Sequence, residues 1–300
     1  MFKDLFGGAQ RRRLEKRVER LGGQLEALRV EFAKEYKWRR RLEDKLDALL
    51  RGQQLASGDF ADPHAALQAW RFGLTSQNEE DGLVLSLVRA MTPRDRRFVD
   101  IGCGRNGGNC GLLGRELGWS GLMLDASEVA IRQLGERLAG NRRVTALARR
   151  VTPETIDALL EEQGLTGSLD VFSLDIDSFD YWVLEAMTVA KPRLLIVEYN
   201  WLFGGERAVT VPRNADLASA PKGYHGASLA AFDKLLSGRG YRLVCVEPMG
   251  VNAFFLADGE ATELPGMTAA EAYRPHPGRK TDKAGESRER PSFELPLVEV

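Results

Sequence analysis

Six residues, Glu247 to Asn252, separate two apolar runs, Tyr241 to Val246 and Ala253 to Ala257. Parallel neighbours need a crossover connection of about a dozen residues or more, so a link this short makes the two runs antiparallel partners. Upstream the spacing is different. Phe98 to Ile101, Gly121 to Asp125, Val144 to Val151, Leu169 to Asp175 and Arg193 to Val197 are short apolar stretches bounded by turn residues, the pattern of buried parallel strands. Between and after them, Leu112 to Leu117, Pro153 to Gln163, Phe179 to Val189 and Ser228 to Leu236 read as helices. The chain is therefore expected to be α/β, with a mostly parallel Rossmann-like sheet that closes in an antiparallel hairpin. A dinucleotide-binding sheet would stay parallel to its last strand.

The first strand runs into Gly102, Gly104 and Gly107, a Gly-x-Gly-x-x-Gly turn whose missing side chains let backbone approach a ligand. The stretch Asn106 to Asn109 leads into the next helix, whose N-terminal amides would face that ligand. Asp125 ends the second strand about twenty residues on, where a carboxylate grips a ribose diol. Enzymes of NAD and of S-adenosylmethionine (SAM) share this device, and the closing hairpin favours the second.

Composition narrows the partners. Three hundred residues, 43% of them hydrophobic, suffice for one large α/β domain with extensions. A formal net charge of -1 gives no reason to expect nucleic acid. Cys103, Cys110 and Cys245 form no Cys-x-x-Cys pair, which fits a reducing cytoplasm. The start of the chain shows no signal-peptide core, and no run approaches the roughly 18 apolar residues of a membrane span.

Four regions follow. Residues 1–52 carry Leu14, Val18, Leu21, Leu25, Leu28, Phe32, Leu42, Leu46 and Leu49 on one alternating three-four spacing, interrupted by Glu35 and Arg39. This reads as a coiled-coil helix that makes a homodimer; the other reading is an amphipathic helix folded back on the catalytic domain. Its basic clusters, Arg11 to Arg13 and Arg39 to Arg41, suit weak contact with an anionic membrane surface. Residues 53–75 are a linker and short helix, 76–259 the catalytic domain, and 260–300 a polar tail expected to lack order, although Phe293 to Val300 is apolar enough to dock. The long segment Trp201 to Tyr224 has the length of a lid or binding loop.

From Ser76 to Asp258 the chain resembles the FkbM-like branch of class I SAM-dependent methyltransferases. The resemblance rests on Ser76-Gln77 with Glu80-Asp81 before the first strand, Gly118-Trp119-Ser120-Gly121 before the second, and Asp175 to Tyr181 after the fourth. It continues in Glu198-Tyr199-Asn200, in Gly226 to Leu229, and in Gly250 to Phe255. Two departures stand out: Arg105 follows the Gly-x-Gly pair where an acid or small polar residue is usual, and Asp125 replaces a glutamate. The resemblance implies a three-layer methyltransferase sheet and methyl transfer from SAM to a hydroxyl of a saccharide or other small metabolite, as in polysaccharide biosynthesis.

On this reading Gln77, Asp100, Gly102, Gly104, Asp125 and Asp175 bind the cofactor, with Asp100 near its amino group and Asp125 on its ribose. Asp175 and Asp177 lie where methyl and acceptor meet, and Asp175, Asp177, Glu198 and His225 are the candidate catalytic groups. Asp175 with Asp177 offers hard oxygen ligands for a divalent metal, but no third ligand stands at motif spacing, and no metal site is assigned. Arg207 and Arg213 of the long loop are candidates to contact an anionic acceptor. The alternative function is a SAM-binding fold that serves mainly to dock partners through its coiled coil.

Overall fold

The computed structural model describes residues 16–26, 29, 62–276 and 295–300. The chain divides into two units, Met1–Leu49 and Leu50–Val300. In the first, residues 16–26 are helical, with Val18, Leu21 and Leu25 exposed. The rest of the expected coiled-coil seam lies outside the described residues.

The second unit is built on a seven-stranded sheet of order β3-β2-β1-β4-β5-β8-β7. Its strands are β1 (Arg97–Ile101), β2 (Ser120–Asp125), β3 (Val144–Ala148), β4 (Gly167–Leu174), β5 (Ala190–Glu198), β7 (Tyr241–Val246) and β8 (Asn252–Ala257). The first five run parallel. Strand β8 lies between β5 and β7, antiparallel to both, and β7 forms the edge of the sheet. This is the Rossmann-like methyltransferase fold, and the short link after β7 is what imposes its closing hairpin. The link is fastened by Glu247, whose carboxylate accepts the amides of Met249, Val251 and Asn252.

Side chains alternate across the sheet and feed two apolar layers. Val99 and Ile101 of β1 join a cluster with Ile156, Leu159, Tyr181, Leu184, Leu229 and Phe232, so helices Ile156–Glu162, Asp180–Ala186 and Leu229–Ser237 cover that face. Phe98 joins Leu83, Leu87, Leu113 and Leu134 on the other, beneath helices Glu80–Met91, Gly111–Arg115 and Glu128–Arg137. Each fully buried Leu or Phe contributes about 1.5–3 kcal/mol. At the end of the sheet where β4 and β5 begin, Arg193 is buried between Asp170 (2.7 Å) and Glu260 (2.5 Å) and donates to the carbonyls of Met91 and Thr92.

Two expectations change and a third is met. The helix expected over Leu112 to Leu117 is only Gly111–Arg115, preceded by a tight turn at Gly108–Cys110. A side chain at Gly114 would meet Phe98 at 2.8 Å, so packing demands glycine where helix propensity resists it. The tail is not without order from residue 260: Ala269–Ala272 is a helix with a Thr268–Glu271 capping box, and Ala269 and Ala272 join the core. The apolar end docks as well. Strand β9 (Val298–Glu299) pairs with β6 (Val209–Thr210), Val300 donates to the carbonyl of Ala208, and the Tyr224 hydroxyl donates to the carbonyl of Pro296. The long loop 201–224 is thus tied down by the last residues of the chain. Among the described residues no helix is long and apolar enough to cross a membrane.

Candidate active site

Parallel strands place their carboxyl ends on one edge of the sheet, and four of them carry the polar residues of interest there. After β1, Gly102, Gly104, Gly107 and Gly108 all have positive φ, which glycine alone adopts freely. Two of these glycines show why. A Cβ on Gly102 would lie 1.5 Å from the carbonyl oxygen of Asp175, so the turn after β1 touches the turn after β4 backbone to backbone. A Cβ on Gly104 would meet nothing within 4 Å, leaving that side of the turn open.

Asp125, at the tip of β2, accepts the amide of Gly104 through one carboxyl oxygen (2.9 Å) and that of Ser127 through the other (2.7 Å). It borders the open turn, and each oxygen keeps acceptor capacity. Asp100 does not. It is 1% exposed, lies directly beneath Gly108, and accepts the amide of Cys110 at 2.7 Å. Burial pushes its carboxyl up to about 7 against the pull of those amides. Asp100 braces the turn from below.

The segment before helix Glu80–Met91 flanks the same turn, with Thr75 packed against Gly111. The Ser76 hydroxyl accepts the amide of Asp81 in the first turn of that helix (3.2 Å), and the first-turn acids in turn fold the segment before it. Position 79 carries no side-chain cap. Asp81, wholly buried, accepts the amides of Leu74, Thr75 and Ser76 and the Thr75 hydroxyl. Glu80, also wholly buried, binds Asn78 and takes an amide hydrogen bond from Asn252 (3.0 Å). Gln77 is left exposed at the rim.

The acidic turn after β4 is shaped by Asp180, whose buried carboxylate accepts the amides of Ile176 (2.8 Å) and Ser178 (3.0 Å). This forces Asp177 to φ 52°, a left-handed conformation that a non-glycine residue seldom adopts. Asp175 points inward and hydrogen-bonds Glu198, the last residue of β5. Burial, then the charges of Asp180 and Asp177, push Asp175 up to about 8. Burial and the neighbouring Asp175 likewise hold Glu198 well above the ordinary carboxylate range. Both shifts favour the protonated carboxyl.

His225 completes the group. Its Nε2 lies 3.7 Å from Asp177 Oδ1, beyond hydrogen-bonding distance. Its loop is held from two sides: the Asn200 amide donates to the carbonyls of Gly223 (2.7 Å) and His225 (2.8 Å), and the Gly226 amide donates to Ser178 (2.7 Å). All four candidate catalytic residues thus stand together. Asp177, Glu198 and His225 bring one donor atom each to within 4.8 Å of one another. Asp175 is not a member of that trio, so the pairing of Asp175 with Asp177 as metal ligands is replaced by a different set.

Sequence reading missed Asp81, Asp180 and Asn200 as builders of the site. All three stood inside quoted motifs, and for Asp180 and Asn200 the signal was a short polar side chain one or two residues past a strand or turn. Arg213 is committed to Glu154 (2.6 Å) and Arg207 to Glu299 (3.0 Å), so neither loop arginine is aimed at the cleft.

No family model matches this chain, and no curated protein matches it. Solved structures are similar in part. The O-methyltransferase TomG from Streptomyces achromogenes, solved with SAM, is 18% identical over 72% of this chain and 99% of its own, with a TM-score of 0.42. The N-terminal domain of EvdMO1 with SAH bound is 15% identical over 72% of this chain and 97% of its own, at 0.40. The methyltransferase domain of bacterial CtHen1-C is 14% identical over 60% of this chain and 98% of its own, also at 0.40.

Proposed function

We propose that this chain is a SAM-dependent methyltransferase of the FkbM-like kind that methylates a hydroxyl of a saccharide or other small metabolite. The observation that carries the reading is the contact of Gly102 with Asp175. It fuses an open glycine turn, bordered by a ribose-type carboxylate, to a cluster of acids and an imidazole. Donor and acceptor residues therefore share one cleft at the carboxyl edge of the sheet.

The residues present suit SAM. Gly104 leaves an unfilled surface, Asp125 offers carboxylate oxygens at the strand tip, and Gln77 stands exposed at the rim. Bound there, SAM supplies a methyl group on a sulfonium cation, and the acids of the cleft complement that positive charge. The chain's own work is alignment. Asp180, Asn200 and the Gly226–Ser178 hydrogen bond hold the acceptor side fixed, which suits an in-line displacement that needs positioning more than covalent help. The proton that a hydroxyl must lose is taken up at the Asp175–Glu198 pair or at His225, all within the same few residues.

Calorimetric titration with SAM, S-adenosylhomocysteine and NAD tests this. SAM and S-adenosylhomocysteine are expected to bind one per chain, Asp125→Ala to weaken both, and NAD to give no heat of binding. Tight NAD binding without either SAM species would refute the reading.

A further inference from the structure

We propose that Asp177, Glu198 and His225 hold a divalent cation, of Mn²⁺ or Mg²⁺ character, that chelates the acceptor through two neighbouring oxygens. The inference rests on the methyltransferase reading for its purpose, though not for its geometry. The three donors come from three separate segments: the turn after β4, the last residue of β5, and the loop before helix Leu229–Ser237. Two carboxylates and one imidazole on one side of an ion leave further positions free for ligand oxygens.

The distances are those of a site a small movement short of closure. Metal–ligand bonds of about 2.1 Å place adjacent ligands roughly 3 Å apart and opposite ones roughly 4 Å apart. Here the imidazole and Asp177 stand at 3.7 Å, and all three donor atoms lie within 4.8 Å. Asp177, whose side chain is 77% exposed, is free to make that adjustment, while the backbone of His225 is fixed by Asn200.

Charge is the independent argument. Asp175, Asp177, Asp180 and Glu198 crowd one end of the cleft. Among the described residues, no lysine or arginine forms an ion pair with any of them; their one ionic contact is His225. Asp170 is met by Arg193, and the buried Asp81, Asp100 and Glu247 are wrapped by backbone amides, whereas Asp177 is 77% exposed and spends its carboxylate on neither. A divalent ion supplies the missing countercharge. A metal bound there selects acceptors with adjacent oxygens, such as a vicinal diol of a sugar ring. With Glu198 and His225 engaged as ligands, the acceptor hydroxyl loses its proton to water at the exposed mouth rather than to either of them, and its oxygen attacks the methyl carbon. The carbon–sulfur bond breaks with its electron pair left on sulfur, so a cationic donor and a neutral alcohol become a thioether, an ether and a proton.

The test uses the full chain, stripped with EDTA and titrated with Mn²⁺ alone, by electron paramagnetic resonance and by imidazole proton NMR. One Mn²⁺ per chain is expected. Of the three histidines, His64, His225 and His276, the His225 resonance should broaden first. Asp177→Asn and His225→Gln should each weaken Mn²⁺ binding at least tenfold. If either variant fails to fold, the selective broadening in the wild-type chain decides alone. No Mn²⁺ binding at millimolar concentration, broadening of all three histidines alike, or variants that bind like wild type would overturn the site. SAM affinity is measured on the same metal-free samples, so loss of SAM binding would count against the methyltransferase reading and leave the metal result standing.

Discussion

Asn200 and His225 are joined by a 2.8 Å hydrogen bond from the asparagine amide to the histidine carbonyl, across twenty-five residues of chain. The same amide donates to Gly223, and the asparagine oxygen accepts from Leu202. One buried side chain at the end of β5 thus sets the path of the loop that carries the site's only imidazole. Asn200→Ala should strip three hydrogen bonds at about 1 kcal/mol each and leave buried carbonyls unpaired. A loss of roughly 2–4 kcal/mol is expected, or about 5–15 °C in a thermal melt. The His225 resonance should shift while those of His64 and His276 stay in place. An unchanged melt and an unmoved His225 signal would remove Asn200 from this role.

Asp81 does for the entrance of the site what Asn200 does for its far wall. Its carboxylate gathers three consecutive amides and a hydroxyl, and among the described residues it has no cationic partner. Asp81→Asn presents an N–H to those donors and should cost about 2–4 kcal/mol in urea denaturation. SAM affinity should fall with it, because Ser76 and Gln77 follow directly on the strip that Asp81 folds. A variant that loses stability but binds SAM as tightly as wild type would separate this strip from the donor site.

Much of this architecture could be read from residue order because its cause is local. Strand β4 announces itself as an apolar run, and the six-residue link after β7 admits one topology. The acids at the strand ends are visible for the same reason: a strand that stops at a carboxylate in a parallel sheet delivers it to the carboxyl edge. What stayed hidden depends on contacts far along the chain. Glu80 and Asp81 look like ordinary first-turn acids, since a helix dipole accounts for them fully, and only the approach of Asn252 and of residues 74–76 shows them buried. The tail looked too polar to fold because its apolar residues, among them Ala261, Leu264, Ala269, Ala272 and Tyr273, are scattered and find their partners only after the sheet exists. That Asp100 lies beneath Gly108 was hidden because nothing in its own neighbourhood reveals it.

Buried acids without cations also give the protein a characteristic response to pH. Burial drives Asp100 and Glu247 up to about 7, with Asp125 and Glu80 respectively adding to the shift and backbone amides opposing it. Each acid binds its proton more tightly in the folded chain than in the unfolded one, where the ordinary values are 3.8 and 4.5. Their contribution to stability is therefore complete below about pH 4 and is lost as pH rises through 7. The Asp175–Glu198 pair acts in the same direction. Asp170 and Glu260, held low by Arg193 and nearby amides, titrate only below this window. Unfolding free energy should accordingly fall from pH 5 to pH 8, and Glu247→Gln should flatten part of that slope. Stability that is level or rising across this interval would contradict the environment described for both acids.

The helix over residues 16–26 raises the question of what meets its apolar residues. Val18, Leu21 and Leu25 recur at three- and four-residue intervals and are 67%, 54% and 57% exposed. Each would gain roughly 1.5–3 kcal/mol by full burial. We propose that a second copy of the chain covers this seam in a parallel or antiparallel pair of helices. Light scattering of the full chain should give twice the mass of one chain, about 67 kDa from 33.3 kDa. Deletion of residues 1–52, or the double substitution Leu21→Glu and Leu25→Glu, should return it to the single-chain mass with SAM binding retained. A full chain that is already monomeric, or a deletion that leaves a dimer, would rule the seam out as the dimer contact.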